Sequence, residues 1–214
     1  MRAMRPCGLM VIVIAWAVLT SGAAHATTRP SSAPTCHARG VTLLANERVR
    51  VYRGRILQGA RTYYYCDQRT RRTRTLGEYV YDSGGGIRRI ALAGRYIAYD
   101  YLVCTHGGCS ASTRLLDART RRLRRFEAKP DPVTPQIGLN SAASLVVTPA
   151  GSVAWIRSRP TDGATRINDV FVAPHGEQAR LLDSGPKVEA DSLAFGGGIL
   201  YWTNDAAPRS AAVR

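Results

Sequence analysis

The chain has 214 residues, 45% of them hydrophobic, and carries 30 Lys and Arg against 15 Asp and Glu, a net charge of +15. An ordinary apolar fraction excludes wholesale disorder, and the length is one domain's worth with enough residues to bury a core. The basic excess means either a heavily solvated surface or an anionic partner.

Residues 1–26 read as a secretory signal peptide. Arg2 and Arg5 form the positive start, and Leu9 to Leu19 is an unbroken apolar run. Ala24-His25-Ala26 matches the small-x-small pattern that a signal peptidase pocket admits, so cleavage is expected after Ala26. The apolar run alone is too short to cross ~30 Å of hydrocarbon. Cys7 precedes the run, so it is not placed as a lipoprotein cysteine, and no later segment is apolar enough to span. The expected destination is secreted or extracellular, with no transmembrane segment after cleavage.

The mature part then starts at Thr27. Residues 27–40 begin with a Ser/Thr/Pro-rich stretch, expected to be a flexible segment. Residues 27–126 hold 20 Arg and 6 acids, whereas residues 127–214 hold 8 basic and 9 acidic residues. All the excess charge of the mature chain therefore lies in its first half.

Residues 41–214 read as a single β-repeat domain. Four segments share one design, an apolar strand, a tight turn and a strand closing on an aromatic. They are 41–52, 89–99, 144–155 and 191–202, closing on Tyr52, Tyr99, Trp155 and Trp202. Gly94, Gly151 and Gly196-Gly197-Gly198 supply the positive φ that tight hairpins need. In the first unit Asn46 is expected to take that backbone region instead. A second hairpin follows in three units, at 62–76, 113–126 and 168–182. The first two share Asp-x-x-Thr-Arg-Arg, with Asp67, Thr70, Arg71 and Arg72 matching Asp117, Thr120, Arg121 and Arg122. An Asp opening a turn accepts backbone N–H groups two residues on and so nucleates it.

Four strands per roughly 50 residues is the period of a propeller blade. The units, approximately 41–82, 87–130, 140–185 and 190–214, resemble the blades of TolB-like or WD-like β-propellers found in exported bacterial proteins. The resemblance implies an all-β, propeller-like array of antiparallel blades, partial or small, and a non-enzymatic scaffold more often than a catalyst. It transfers no catalytic residues. WD and GH dipeptides are absent, and Arg71 and Arg121 stand where the blade turn usually continues with Gly. The fourth unit lacks a full second hairpin. Either the stretch around Ala211 to Val213 or the segment before Val41 completes the last blade, or the array is an open arc. The alternative fold is a β-sandwich. Ser83-Gly84-Gly85-Gly86 and Lys129 to Pro135 read as connectors.

The mature cysteines are Cys36, Cys66, Cys104 and Cys109. An even set in an exported chain favours disulfides. Three pairings are possible, and the neighbour pairing Cys36–Cys66 with Cys104–Cys109 is the expectation. A metal reading of Cys104, His106 and Cys109 supplies three ligands without an obvious fourth, so no metal is expected. No cofactor is expected either. His37, His106 and His175 read as turn residues. Asp100, Asp162, Asp169, Asp191 and Asp205 are scattered without a calcium-loop pattern.

The chemistry that remains lies in two Arg clusters on equivalent hairpins. One is Arg69, Arg71, Arg72 and Arg74; the other is Arg119, Arg121, Arg122, Arg124 and Arg125. Guanidinium forks bind carboxylate and phosphate bidentately. With repeats and no catalytic constellation, the function expected is a secreted, non-catalytic binding or scaffold protein whose ligand the sequence does not name. The alternative is a binder of anionic cell-surface or extracellular polymers through these Arg hairpins; the partner is such a polymer or another protein, and no specific nucleic acid is indicated. An exported hydrolase or lyase with an unrecognised site is the other class.

Overall fold

A computed structural model describes residues 36, 40–106, 108–127, 141–161 and 165–213, all within the compact unit Pro34–Arg214. The signal segment, His37, the 129–135 connector and Asp162 lie outside the described residues.

The described chain is all-β and its strand pairs are antiparallel. β1 (Val41–Ala45), β2 (Val49–Leu57), β3 (Ala60–Asp67) and β4 (Arg72–Val80) form a first meander. β5 (Gly86–Ala93), β6 (Tyr96–Thr105), β7 (Gly108–Asp117) and β8 (Leu123–Glu127) form a second. β9 (Ala142–Val147), β10 (Val153–Pro160), β11 (Arg166–Ala173) and β12 (Arg180–Gly185) form a third. β13 (Ala194–Gly196), β14 (Ile199–Asn204) and β15 (Ala207–Ala212) form a three-stranded fourth.

The first two meanders are joined edge to edge, through Tyr79 paired with Gly86. The connector Ser83 to Gly86 is thus a tight junction. Gly86 has φ 111°, and a Cβ there would sit 1.9 Å from the Glu78 carbonyl oxygen, so only glycine fits.

The turns behave as their residues dictate, with one correction. Asp67 Oδ1 accepts the N–H groups of Arg69 and Thr70 at 3.0 and 3.4 Å, and Asp117 Oδ1 those of Arg119 and Thr120 at 2.9 and 3.3 Å. Arg71 and Arg121 have φ of 55° and 65°, the left-handed position where glycine is cheapest. Asn46 does not adopt positive φ. Its side chain builds the turn instead, Oδ1 accepting the N–H groups of Arg48 and Val49 at 2.9 Å each.

Packing is serial. Val49, Val51, Tyr65 and Leu76 of the first meander meet Ile87, Ile97, Tyr99 and Leu116 of the second. Ala98, Leu115 and Phe126 meet Val153, Trp155 and Ala173 of the third. Ile156, Val170 and Val172 meet Leu200 and Trp202 of the fourth. Three cores in series, each between sequence neighbours, make a propeller-like array. A sandwich would instead bury one core between two sheets.

Among the described residues no core joins the fourth meander to the first. The far face of the first carries Tyr52 stacked on Tyr64 beside the Cys36–Cys66 disulfide. The far face of the fourth leaves Ile199 and Tyr201 exposed. The stretch through Ala211 supplies a third strand to the last meander, paired along β14, rather than a second hairpin. The second disulfide, Cys104–Cys109, ties two directly opposed residues of the β6–β7 hairpin.

Candidate functional site

The two Arg hairpins are the β3–β4 and β7–β8 turns. Hydrogen bonds place them at one end of the array. Gln68 donates through Nε2 to the Asn46 carbonyl, Asn46 donates through Nδ2 to the Gly94 carbonyl, and the Ala118 N–H reaches the Arg95 carbonyl. Arg69, Arg71 and Arg72 of one turn are exposed, as are Arg119, Arg121, Arg122 and Arg125 of the other. None of these seven has a carboxylate within ion-pair distance among the described residues. The two Asp residues of the motif are occupied inside their turns, and Asp117 also holds Arg95 at 3.1 Å.

Arg74 and Arg124 are half-buried and differ from the rest. Arg124 packs over Phe126, 4.9 Å from its ring centre, and donates to the carbonyls of Pro174 and Glu177. It clamps the second meander to the third. Arg74 lies near Tyr65, which belongs to the core shared by the first two meanders. Burial pushes the Tyr65 phenol there above its ordinary value, while the nearby charges of Arg74 and Arg121 pull it down. Arg121 of the second meander thus acts on a tyrosine of the first.

Following that seam away from the turns leads to residues that sequence reasoning passed over. Tyr99 is buried and raised by desolvation, with the Arg114 side chain opposing the rise through a hydrogen bond. Arg114 stacks over Tyr101 at 3.8 Å, Arg88 over Tyr79 at 5.7 Å and Arg61 over Tyr81 at 5.7 Å. Tyr79 and Tyr81 meet edge to face at 5.1 Å. Tyr63 lies among them, its phenol pushed up by burial and pulled down first by Arg61. Tyr101 packs across onto Gly77, where a Cβ would lie 3.3 Å from its ring. The available signal was alternation. Arg61 and Tyr63 are two apart on β3, as are Tyr79 and Tyr81, and Tyr99 and Tyr101 on β6, so each pair shares a face of its strand or its extension.

The next two seams treat charge differently. Asp169 is 4% exposed and receives Arg159 Nε at 2.9 Å, Arg157 Nη2 at 3.2 Å and the Ser184 hydroxyl at 2.6 Å. Asp183 accepts from Trp202 Nε1 at 2.7 Å and Asn204 Nδ2 at 3.0 Å, pinning the third meander to the fourth. Burial pushes its carboxyl up, but these donors outweigh it and hold the group below the usual carboxylate range.

Asp100, one of the scattered acids, is fully buried between the second and third meanders. It lines a cavity of about one water's size with Ala111, Thr113, Phe126, Ala142, Trp155 and Arg157. Its Oδ2 has no hydrogen-bond partner, and burial pushes its pKa up to about 6 against the N–H of Ala142 and the charges of Arg88 and Arg89. His106 is exposed on the Cys104–Cys109 hairpin, and His175 packs against Tyr96, 5.8 Å between ring centres. Among the described residues no three His, Cys, Asp or Glu side chains converge as a metal site would need.

No protein-family model and no curated protein matches the sequence. Solved structures do align with it. TolB from Acinetobacter baumannii aligns at TM-score 0.38 and 12% identity, over 78% of this chain and 41% of its own. The β-propeller domain of the Trilobed protease from Pyrococcus furiosus, described as having an open velcro topology, aligns at TM-score 0.41 and 9% identity. That match covers 77% of this chain and 53% of the domain's. This chain therefore spans about half or less of the length of either.

Proposed function

We propose that this protein is an exported, non-catalytic binding protein that uses its propeller-like array to hold an anionic polymer on the Arg hairpins. The observation that carries the reading is the set of seven exposed arginines on two adjoining turns, none of them neutralised by a carboxylate among the described residues. Unpaired guanidinium groups on rigid turns are a surface prepared for oxyanions, because the forks are displayed without an internal competitor. The N-terminal signal pattern and the two disulfides support an oxidising compartment outside the cytoplasm. There the polyanions on offer are wall polymers, acidic glycans and anionic lipid surfaces.

Replacing Arg71, Arg72, Arg121 and Arg122 together with Gln tests the reading. Retention on immobilised heparin should fall, and its dependence on salt should flatten, because fewer counterions are exchanged on binding. Retention and salt slope equal to those of the unaltered protein would remove the hairpins from the binding surface.

A further inference from the structure

The first inter-blade seam carries cationic chemistry of its own, distinct from that of the turns at its end. Arg61, Arg88 and Arg114 each lie over a tyrosine ring, and none has a carboxylate partner among the described residues. Arg61 Nε is buried without any hydrogen bond. Arg88 is steadied by the Gly84 carbonyl at 2.8 Å, and Arg114 by the Ser112 hydroxyl at 3.3 Å. Contact with a ring restrains a guanidinium, and the N–H groups it does not use inside the fold can meet a carboxylate, in the two-pronged manner where two are free. That restraint also reduces the rotamer entropy lost when a ligand is gripped.

We propose that the seam between the first two meanders is the binding track for a carboxylate-bearing polysaccharide, gripped by Arg61, Arg88 and Arg114 with the hydroxyls of Tyr79 and Tyr81 beside them. The proposal rests on the reading of the protein as a polyanion binder and names the polymer class and its path. Charge complementarity selects a polyanion: the seam holds arginines from both meanders and the excess charge of the mature chain lies in this half. Ring geometry selects sugar over single-stranded nucleic acid. Base stacking needs open aromatic faces, whereas Tyr79, Tyr81 and Tyr101 each already carry a guanidinium, and Tyr79 and Tyr81 also contact each other. Tyrosine hydroxyls at the rim suit the donor and acceptor groups of a sugar ring.

Binding of polygalacturonate oligomers to the full chain, measured by calorimetry, tests this. Arg88→Gln should weaken binding about tenfold, the loss of one charge-assisted contact, and R61Q/R88Q/R114Q should weaken it further. Arg88→Lys should rescue little of the loss, because it restores charge without the fork. Tyr81→Ala, at an exposed position, gives a second probe that leaves the core intact. Carboxyl-reduced polymer should not bind. The quadruple hairpin variant should lose part of the affinity for heparin and polygalacturonate alike. If seam variants with native near-ultraviolet dichroism bind polygalacturonate normally while the hairpin variant does not, the seam proposal is wrong and the hairpin reading stands. Oligothymidylate binding as tightly as polygalacturonate overturns the choice of polymer. An unaltered protein that binds neither polygalacturonate nor heparin overturns both readings.

Discussion

The seam between the first and second meanders and the third meander with its neighbour are built on the same antiparallel pattern but treat charge in opposite ways. In the first, arginines lie over tyrosines and lack carboxylate partners. Within the third meander Arg157 and Arg159 of β10 converge on Asp169 of β11, and at its seam with the fourth Asp183 is filled by Trp202 and Asn204. Covalent staples follow the same division: Cys36–Cys66 ties the segment before β1 to the first meander, and Cys104–Cys109 closes a hairpin of the second. A charge that is neutralised inside the fold serves cohesion, and one left on a ring face remains available to a ligand. On the proposed reading the array divides into a cohesive half and a receptive half, and this division can be broken experimentally.

The largest effect is expected where charge is internal. Asp169→Ala strands the largely buried Arg157 guanidinium and leaves the Ser184 hydroxyl without its acceptor, and should destabilise the protein by roughly 3 kcal/mol or more. Arg88→Gln in the receptive seam should stay within about 0.5 kcal/mol, as exposed substitutions do. Chemical denaturation of the two variants checks the pair, and equal costs would dissolve the distinction.

Next comes the middle seam, where Asp100 is buried with its pKa raised to about 6 from 3.8. The folded state holds this proton more tightly than the unfolded state. Stability is therefore full below about pH 4 and declines until the folded group ionises near pH 6, a loss of roughly 3 kcal/mol. Asp100→Asn should flatten that part of the profile. Denaturation midpoints between pH 4 and 7 provide the measurement, and an unchanged slope would show that the carboxyl does not titrate as its burial requires.

The smallest effect concerns the turns. Arg121→Gly relieves a left-handed conformation and should leave stability unchanged or raise it by up to about 1 kcal/mol, while removing one rim charge. A melting temperature several degrees lower would mean that the Arg side chain, not the backbone, holds the turn.

Much of the fold was legible because local chemistry is explicit in it. Gly94 and Gly151, with φ of 54° and 89°, and the two Asp-led turns punctuate the hairpins wherever their residues fall. The neighbour pairing of cysteines is also what forms. Asn46 misled because an amide side chain can build a turn by accepting N–H groups as well as by tolerating positive φ. The Arg hairpins could be read because they are contiguous runs. The Arg61, Arg88 and Arg114 set could not, since its members lie on three strands, apart in sequence and interrupted by the β4–β5 junction.

By itself the sequence determined the repeat, its turns and the confinement of excess charge to one half, because each rests on residues near in the chain. Only the tertiary structure decided which arginines meet carboxylates and which meet tyrosines. It also decided that Asp169 is ion-paired by Arg157 while Asp100, whose cavity the same Arg157 lines, keeps Oδ2 without a hydrogen bond. The physical reason is that partner choice arises between neighbouring strands, where Arg114 meets Tyr101, Arg88 meets Tyr79 and Arg157 meets Asp169, and strand register and side-chain direction decide which residues come side by side.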